Sequence, residues 1–246
     1  MGEIKPGRNL LIAFAGILII LIVIIAVPYI YQSYQRVFNP VRDRDGDGVP
    51  DNEDTFPDDP KEWKDSDGDG IGDNEDNDDD NDGILDSQDY LPYNDAGIRV
   101  EIWKIRVNEK TRWLSNTAKI YAKIYIDNVE YVLPPEEFKE VNIDEDVIVN
   151  WNVSQNIDDK IGYHTVKIEL YYKDILGDKL LDINGDVADK TEEGKILSIN
   201  YYIGNKVGNQ YPEEGGYAIA DGSFDDNKRE KDARVYFRIV TIDVKS

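Results

Sequence analysis

The sequence predicts a mainly β chain in three parts: an N-terminal transmembrane helix, an irregular array of acidic loops, and an antiparallel β-sandwich head. Three observations predict this. Residues 9–31 carry no charge, residues 43–95 hold 22 acidic and three basic side chains, and apolar–polar alternation recurs through residues 97–246. The 246-residue chain has a net charge of −23, of which the acidic stretch supplies −19 and everything else −4. That excess repels phosphate backbones and argues against nucleic acid as a partner. The lack of Cys excludes disulfides, thiolate metal sites, iron–sulfur clusters and thiol nucleophiles, and a single histidine, His164, offers a transition metal little.

The first part reads as an uncleaved signal anchor. Leu10 to Ile30 is 21 residues, and at about 1.5 Å per residue it spans the roughly 30 Å hydrocarbon core. A cleaved secretory signal has a shorter apolar region and small residues near its end. Here Ala26 is preceded two residues earlier by Ile24. A cleaved signal or a prepilin-type leader processed near Gly7 remains an alternative. Tyr29, Tyr31 and Tyr34 suit the interfacial belt, and the bilayer is the expected partner of this helix. Residues 1–8 form a short tail, 9–31 the span and 32–42 a juxtamembrane linker. Positive charges flank both sides, Lys5 and Arg8 before and Arg36, Arg42 and Arg44 after, so they do not set the orientation.

The second part, 43–95, is a repeat. Asp43, Asp45, Asp47, Val49, Asp51 and Asp54 occupy positions 1, 3, 5, 7, 9 and 12 of a twelve-residue loop with Gly48 at position 6. Alternate residues aim carboxylates at one centre, the glycine permits a sharp turn, and the aliphatic residue offers its carbonyl, which is the ligand order of a calcium loop. The same positions are filled by Asp65, Asp67, Asp69, Ile71, Asp73 and Asp76 with Gly70, and again by Asp78, Asp80, Asp82, Ile84, Asp86 and Asp89 with Gly83. A solvated acidic linker would place its acids in random register. Asp51, Asp73 and Asp86 are ligands directly or through water, and in the crowded third loop Asp79 and Asn81 compete with their neighbours. Pro50, Pro57 and Pro60 leave no room for the helices that flank an EF loop, and position 12 carries Asp in place of Glu. The expected cofactor is calcium, about three ions. Oxygen-only donors in a flexible loop suit it better than magnesium or zinc.

These loops, with the intervening Asn52-Glu53-Asp54-Thr-Phe-Pro57-Asp-Asp-Pro60-Lys-Glu-Trp63, resemble cysteine-free, prokaryotic thrombospondin type 3 repeats. The resemblance implies that each loop binds calcium and that the array folds around its ions with little regular secondary structure. Two carboxylates about 5 Å apart repel by roughly 3 kcal/mol at an effective dielectric near 20. The segment's apolar residues, chiefly Val49, Phe56, Trp63, Ile71, Ile84, Leu85 and Leu91, are too few to offset several such terms. Metal binding is therefore expected to supply the folding energy. A short N-terminal tail stays in the cytoplasm, and the loops need the calcium that the outside supplies, so the bulk of the chain is expected outside the cell membrane.

The third part, 97–246, is the sandwich. Ile120, Ala122, Ile124 and Ile126 share one face of residues 117–126, opposite Lys119, Tyr121, Lys123 and Tyr125. Val166, Ile168 and Leu170 alternate in 165–172. Val235, Phe237 and Ile239 keep phase before a shift to Val240, Ile242 and Val244, which predicts a bulge there. Further strands are expected at 98–107, 131–133, 147–153, 180–183 and 196–203. Seven or eight short strands without a convincing amphipathic helix make an antiparallel sandwich.

The run Val166-Lys-Ile-Glu-Leu-Tyr-Tyr-Lys-Asp174 with Asp178 and Leu181-Asp182-Ile183, and the later loop of Asp221, Asp225 and Asp226, resemble a calcium-dependent β-sandwich of the synaptotagmin type. The resemblance implies an additional metal site at these six acids. It lacks that family's first-loop aspartates, and Asp-rich turns also serve local backbone bonding. No nucleophile motif or phosphate-binding glycine loop appears, and His164 reads as a turn or surface histidine. The aromatic residues invite sugar stacking, although aromatics favour strands anyway. Asn152-Val-Ser154 is a glycosylation sequon at the end of a strand.

The expected function is calcium binding that orders a stalk and presents a non-catalytic head to a surface protein or polymer. The rivals are a surface hydrolase with two carboxylates about 5 to 9 Å apart in a concave pocket, and a structural subunit of an envelope assembly.

Overall fold

The computed structural model describes residues 20–31, 42–111, 115–185, 193–224 and 231–244. The chain divides into two compact units, 1–65 with 70–75 and 66–69 with 76–246.

In the first unit residues 20–31 are helical and their apolar side chains are exposed. Among the described residues no helix is long and apolar enough to cross a membrane. Residues 9–19 of the expected span, the tail 1–8 and nearly all of the linker lie outside the described residues. The acidic part of this unit is turns and bends. Its chain folds back where the Thr55 N–H donates to the Trp63 carbonyl (3.1 Å) and the Glu62 N–H to that of Asp59 (3.1 Å).

In the second unit the third acidic loop leads through one short 3-10 turn, Asp86–Gln88, into the sandwich. Its strands are β1 (Ala96–Val107), β2 (Thr117–Ile126), β3 (Val129–Leu133), β4 (Lys139–Asn142), β5 (Val147–Asn156), β6 (Tyr163–Tyr172), β7 (Lys179–Leu181), β8 (Leu197–Tyr202), β9 (Gln210–Tyr211), β10 (Ala218–Asp221) and β11 (Ala233–Asp243). One sheet runs β10-β11-β1-β5, with β9 also on β11; the other runs β3-β2-β6-β7, with β4 also on β2 and β8 on β6. The named strands pair antiparallel throughout.

Alternation sets what each strand buries. Ile120, Ala122, Ile124 and Ile126 of β2 and Val166, Ile168 and Leu170 of β6 enter one core with Ile98, Val100 and Ile102 of β1 and Val235, Phe237 and Ile239 of β11. The hairpin between β2 and β3 turns on Asp127 and Asn128, both left-handed at φ 46° and 72°, the backbone that a two-residue turn needs to match strand twist.

Two expectations need correction. The bulge is not in β11, which stays in phase through Thr241 at 0% exposure. The Thr241 hydroxyl is bonded to the Ile203 carbonyl (2.7 Å) and the Tyr201 hydroxyl (2.8 Å), so a polar side chain fills a core position without loss. The register shift falls instead between Ile102 and Lys104 of β1, opposite both β11 and β5, and the intervening Trp103 is exposed. His164 is not at the surface but 2% exposed. It shares the inward face of Val166 and Ile168, with Nδ1 on the Asp127 carboxylate and Nε2 on the Ile161 carbonyl.

Candidate metal centre

Each acidic loop is braced by its own aspartates in a recurring pattern. In the first loop the Gly48 N–H donates to Asp43 Oδ2 (3.2 Å), the Asp47 N–H to Asp45 Oδ1 (3.2 Å) and the Val49 N–H to Asp47 Oδ1 (2.7 Å). In the third loop the Gly83 N–H donates to Asp78 Oδ2 (3.1 Å), the Asp82 N–H to Asp80 Oδ1 (3.1 Å) and the Ile84 N–H to Asp82 Oδ1 (2.7 Å). The second loop divides between the units. In the first unit the Gly70 N–H reaches Asp65 Oδ2 (3.1 Å), and in the second the Asp69 N–H reaches Asp67 Oδ1 (2.8 Å). Position 6 is left-handed each time, with φ of 105° at Gly48, 96° at Gly70 and 94° at Gly83. A side chain there would strain the turn that folds its N–H back to position 1.

Asp43 braces with both oxygens, accepting the Gly46 N–H on Oδ1 and the Gly48 N–H on Oδ2, whereas five other carboxylates use one oxygen and leave the second. Asp45 Oδ2 and Asp47 Oδ2 in the first loop, and Asp78 Oδ1, Asp80 Oδ2 and Asp89 Oδ2 in the third, are buried without a hydrogen-bond partner. Oxygens of Asp43, Asp45 and Asp47 lie within 4.8 Å of one another, as do those of Asp78, Asp80 and Asp82. Oxygens about 2.3–2.6 Å from one calcium ion are at most about 5 Å apart. The donor set therefore fits a hard divalent cation, and these residues would hold it.

Position 9 closes each loop through its backbone. The Asp51, Asp73 and Asp86 N–H groups close their loops onto the carbonyls of Arg42 (2.7 Å), Lys64 (2.9 Å) and Asn77 (3.0 Å). Their carboxylates have partners in the same loops or just before them: Asp51 with Arg42 (3.2 Å) and the Arg44 N–H (2.8 Å), Asp73 with Lys64 (2.9 Å), and Asp86 with the Asp79 N–H (3.0 Å). Position 12 caps the exit, where Asp54 accepts from the Phe56 N–H (2.8 Å), Asp76 from Asp78 (3.1 Å) and Asp89 from Leu91 (2.8 Å). Of the crowded pair in the third loop, Asp79 is buried and Asn81 donates to the Asp67 carboxylate. Of the apolar side chains, Leu91 enters the sandwich core whereas Trp63, Ile71 and Leu85 are exposed.

Crowding marks these carboxyls electrostatically. Burial pushes the Asp80 carboxyl up to about 7, with Asp82, Asp89 and Asp78 adding repulsion against the Asp82 N–H. Burial raises Asp89 as well, and desolvation followed by the charges of Asp47, Asp54 and Asp43 raises Asp45. Burial also lifts Asp159 of the sandwich to about 7, with Asp89 and Asp82 contributing.

A pH dependence follows with a defined sign. Without metal, the folded protein holds protons on Asp80 and Asp159 that the unfolded chain releases near 3.8. The stability they lend is complete below that value and is lost as pH rises through about 7. Calcium needs the carboxylates bare, so its contribution grows over the same window. Scanning calorimetry in chelator is expected to show melting several degrees higher at about pH 5 than at about pH 8, with the order reversed in calcium. The same order in both conditions would refute the link between these acids and the ion.

The four described acids of the expected head site are not gathered into such a group. Asp178 accepts from the Tyr121 hydroxyl (3.0 Å) and pairs with Lys173 (3.4 Å), and Asp174 takes the Leu176 N–H (3.1 Å). Buried Asp182 accepts the Asn184 N–H (2.9 Å), and buried Asp221 is held by Arg234 (2.6 Å) and Ser223 (2.7 Å). Among the described residues none of these four joins a cluster of three acids, and Asp225 and Asp226 lie outside the described residues. The four instead serve turns and ion pairs. Asn152 is exposed within β5 rather than at a strand end, and Ser154 of its sequon meets Arg99 Nε (3.3 Å).

A groove of about 270 Å³ lies over β1 and β5, with Arg99, Glu101, Trp103, Asn150 and Tyr217 among its walls. Trp103 stacks on Tyr217 with ring centroids 5.3 Å apart, and the one carboxylate of the groove, Glu101, is held by Arg238 (2.7 Å).

The sequence reading missed two carboxylates. Glu62 is 3% exposed, and its Oε2 takes the Asn74 N–H (3.0 Å). It lies so close to Gly72 that a Cβ there would sit 2.1 Å from it. Asp159 is fully buried. Neither stands in a loop register; each is found only by what packs over it.

Residues 64–95, which contain the second and third loops, match the family described as "Thrombospondin type 3 repeat". No curated protein matches the chain. Among solved structures the chain is similar to a C2 domain of plant Extended Synaptotagmin 1, at 7% identity and a TM-score of 0.39, covering 62% of this chain and 98% of that one. It is similar to the structure described as "Structure of a C2 domain" at 10% identity and 0.35, covering 60% and 99%. It is also similar to human GIVD cytosolic phospholipase A2 at 10% and 0.38, covering 62% and 17%. The repeat and the sandwich that the sequence resembles both recur among these likenesses.

Proposed function

We propose that this chain is a calcium-binding protein of the cell surface, whose acidic repeats take up about three calcium ions and stiffen into a stalk that presents the β-sandwich. The division of labour within each carboxylate carries this reading. One oxygen of Asp45, Asp47 and Asp80 braces the loop backbone, the other is buried and unpartnered, and each of the three carboxylates is grouped with its loop neighbours. Burying such charge is costly unless a cation compensates it. The uncharged stretch 9–31, helical over 20–31 with exposed apolar side chains, supports anchoring in a bilayer. For the head, the exposed Trp103 and its polar groove support binding of a surface polymer or protein.

Calcium titration of the detergent-solubilised full chain by calorimetry tests the reading. About three ions are expected to bind, and the double variant Asp45→Asn/Asp47→Asn is expected to lose one of them, with at least about tenfold weaker binding at that loop. No heat at millimolar calcium would overturn it.

A further inference from the structure

We propose that Asp159 of the sandwich is a calcium ligand, holding the third loop's ion position together with Asp82 and Asp89. The proposal deepens the calcium reading and rests on it. One oxygen from each of Asp82, Asp89 and Asp159 lies within 4.8 Å of the other two, although Asp159 is 70 residues from Asp89 in the chain. Asp159 is 0% exposed. Its Oδ2 accepts the Ala96 N–H (3.2 Å), and its Oδ1 is buried without a partner. Asp89 repeats the pattern, with Oδ1 on the Leu91 N–H and Oδ2 buried and unpartnered. Two half-satisfied carboxylates, each with a buried unpartnered oxygen and grouped with a third acid, are unfavourable in a fold unless something positive belongs among them.

The surroundings fix this meeting. Directly after Asp89, the Tyr90 N–H donates to the Asp159 carbonyl (3.2 Å), its ring covers Gly162 so closely that a Cβ there would lie 2.6 Å away, and Leu91 enters the core. Asp95 accepts both an Asn156 side-chain bond (2.7 Å) and the Val244 N–H on its carbonyl (2.8 Å). The end of the array is thus seated on the sandwich by main-chain bonds, and Asp159 is held where the loop's closing acid arrives. An acidic groove of about 750 Å³, walled in part by Asp80, Asp82, Asp127, Asp158 and Lys160, shares Asp82 with the cluster and gives an ion a way in. Metal here clamps the last repeat to the head as well as ordering the loop.

The test uses the full chain and the variants Asp159→Asn and Asp80→Asn. Asn keeps an acceptor for the Ala96 N–H while removing the charge. With Asp159→Asn, calorimetry is expected to show calcium binding at one position weakened about tenfold or more. Its melting point is expected to be at or above the wild type in chelator, where repulsion is relieved, and below it in calcium. Lower melting in both conditions would assign Asp159 a purely structural role and overturn the proposal. If Asp80→Asn weakens one ion while Asp159→Asn weakens none, the proposal falls and the calcium reading of the loop stands. If neither changes any ion, both fall.

Discussion

Chelating calcium is expected to open the repeats to trypsin at Arg44, Lys61 and Lys64 while the strands of the sandwich stay intact. The loops hold few apolar side chains, and Trp63, Ile71 and Leu85 are exposed rather than packed. Their order comes from aspartates that bond their own backbone and, on the proposed function, from the cation those aspartates would surround. At calcium one hundred times its dissociation constant, each filled site adds about 2.7 kcal/mol, and three independent sites about 8 kcal/mol. Removing one ion thus raises the open population of its loop about a hundredfold, and cleavage accelerates equally where reclosing is fast. The sandwich has its own core of β1, β2, β6 and β11 side chains, which is expected to keep it closed without an ion. Mass spectrometry of timed digests reads both results. Equal cleavage rates with and without calcium would mean that metal does not order the array.

Phe237→Ala is expected to destabilise the sandwich by about 3–5 kcal/mol. Phe237 is 1% exposed on β11, paired with Ile102 of β1 on one side and Ala218 of β10 on the other. Its ring stacks on Tyr211 at 5.9 Å. Truncation leaves a cavity that rigid strands on both sides cannot close, and at about 2–4 °C per kcal/mol for a chain of this size the melting temperature drops by roughly 6–20 °C. The drop is expected to be similar in calcium and in chelator, unlike that of any loop variant. Thermal melts in both conditions measure it, and a loss under about 1 kcal/mol would place Phe237 outside the shared core.

The long strands are legible because alternation is a local property: β2 and β6 show their buried face in the sequence of ten residues each. The short ones are not. Gln210–Tyr211 is a strand only because β11 offers it Ile239 and Val240 to pair with, and Lys139–Asn142 only because β2 extends beyond β3. Alternation misplaces the bulge because Thr241 reads as polar, and the hydroxyl bonds that let it stay in phase come from Ile203 and Tyr201, distant in sequence. His164 reads wrongly as exposed for the same reason, since its partner Asp127 belongs to another turn.

The groups of Asp43, Asp45 and Asp47 and of Asp78, Asp80 and Asp82 are made by positions one, three and five of a short loop whose glycine turns the chain back on its own carboxylates. A grouping closed within five residues takes little information from elsewhere, so its spacing is visible in the primary sequence. Asp159 is the opposite case. In the sequence it is one of many acids in a turn, and folding alone buries it beside Asp82 and Asp89. The same holds for Asp221, whose charge is paired with Arg234. Burial and partnership across distant segments set what a carboxylate does, and no local spacing encodes either.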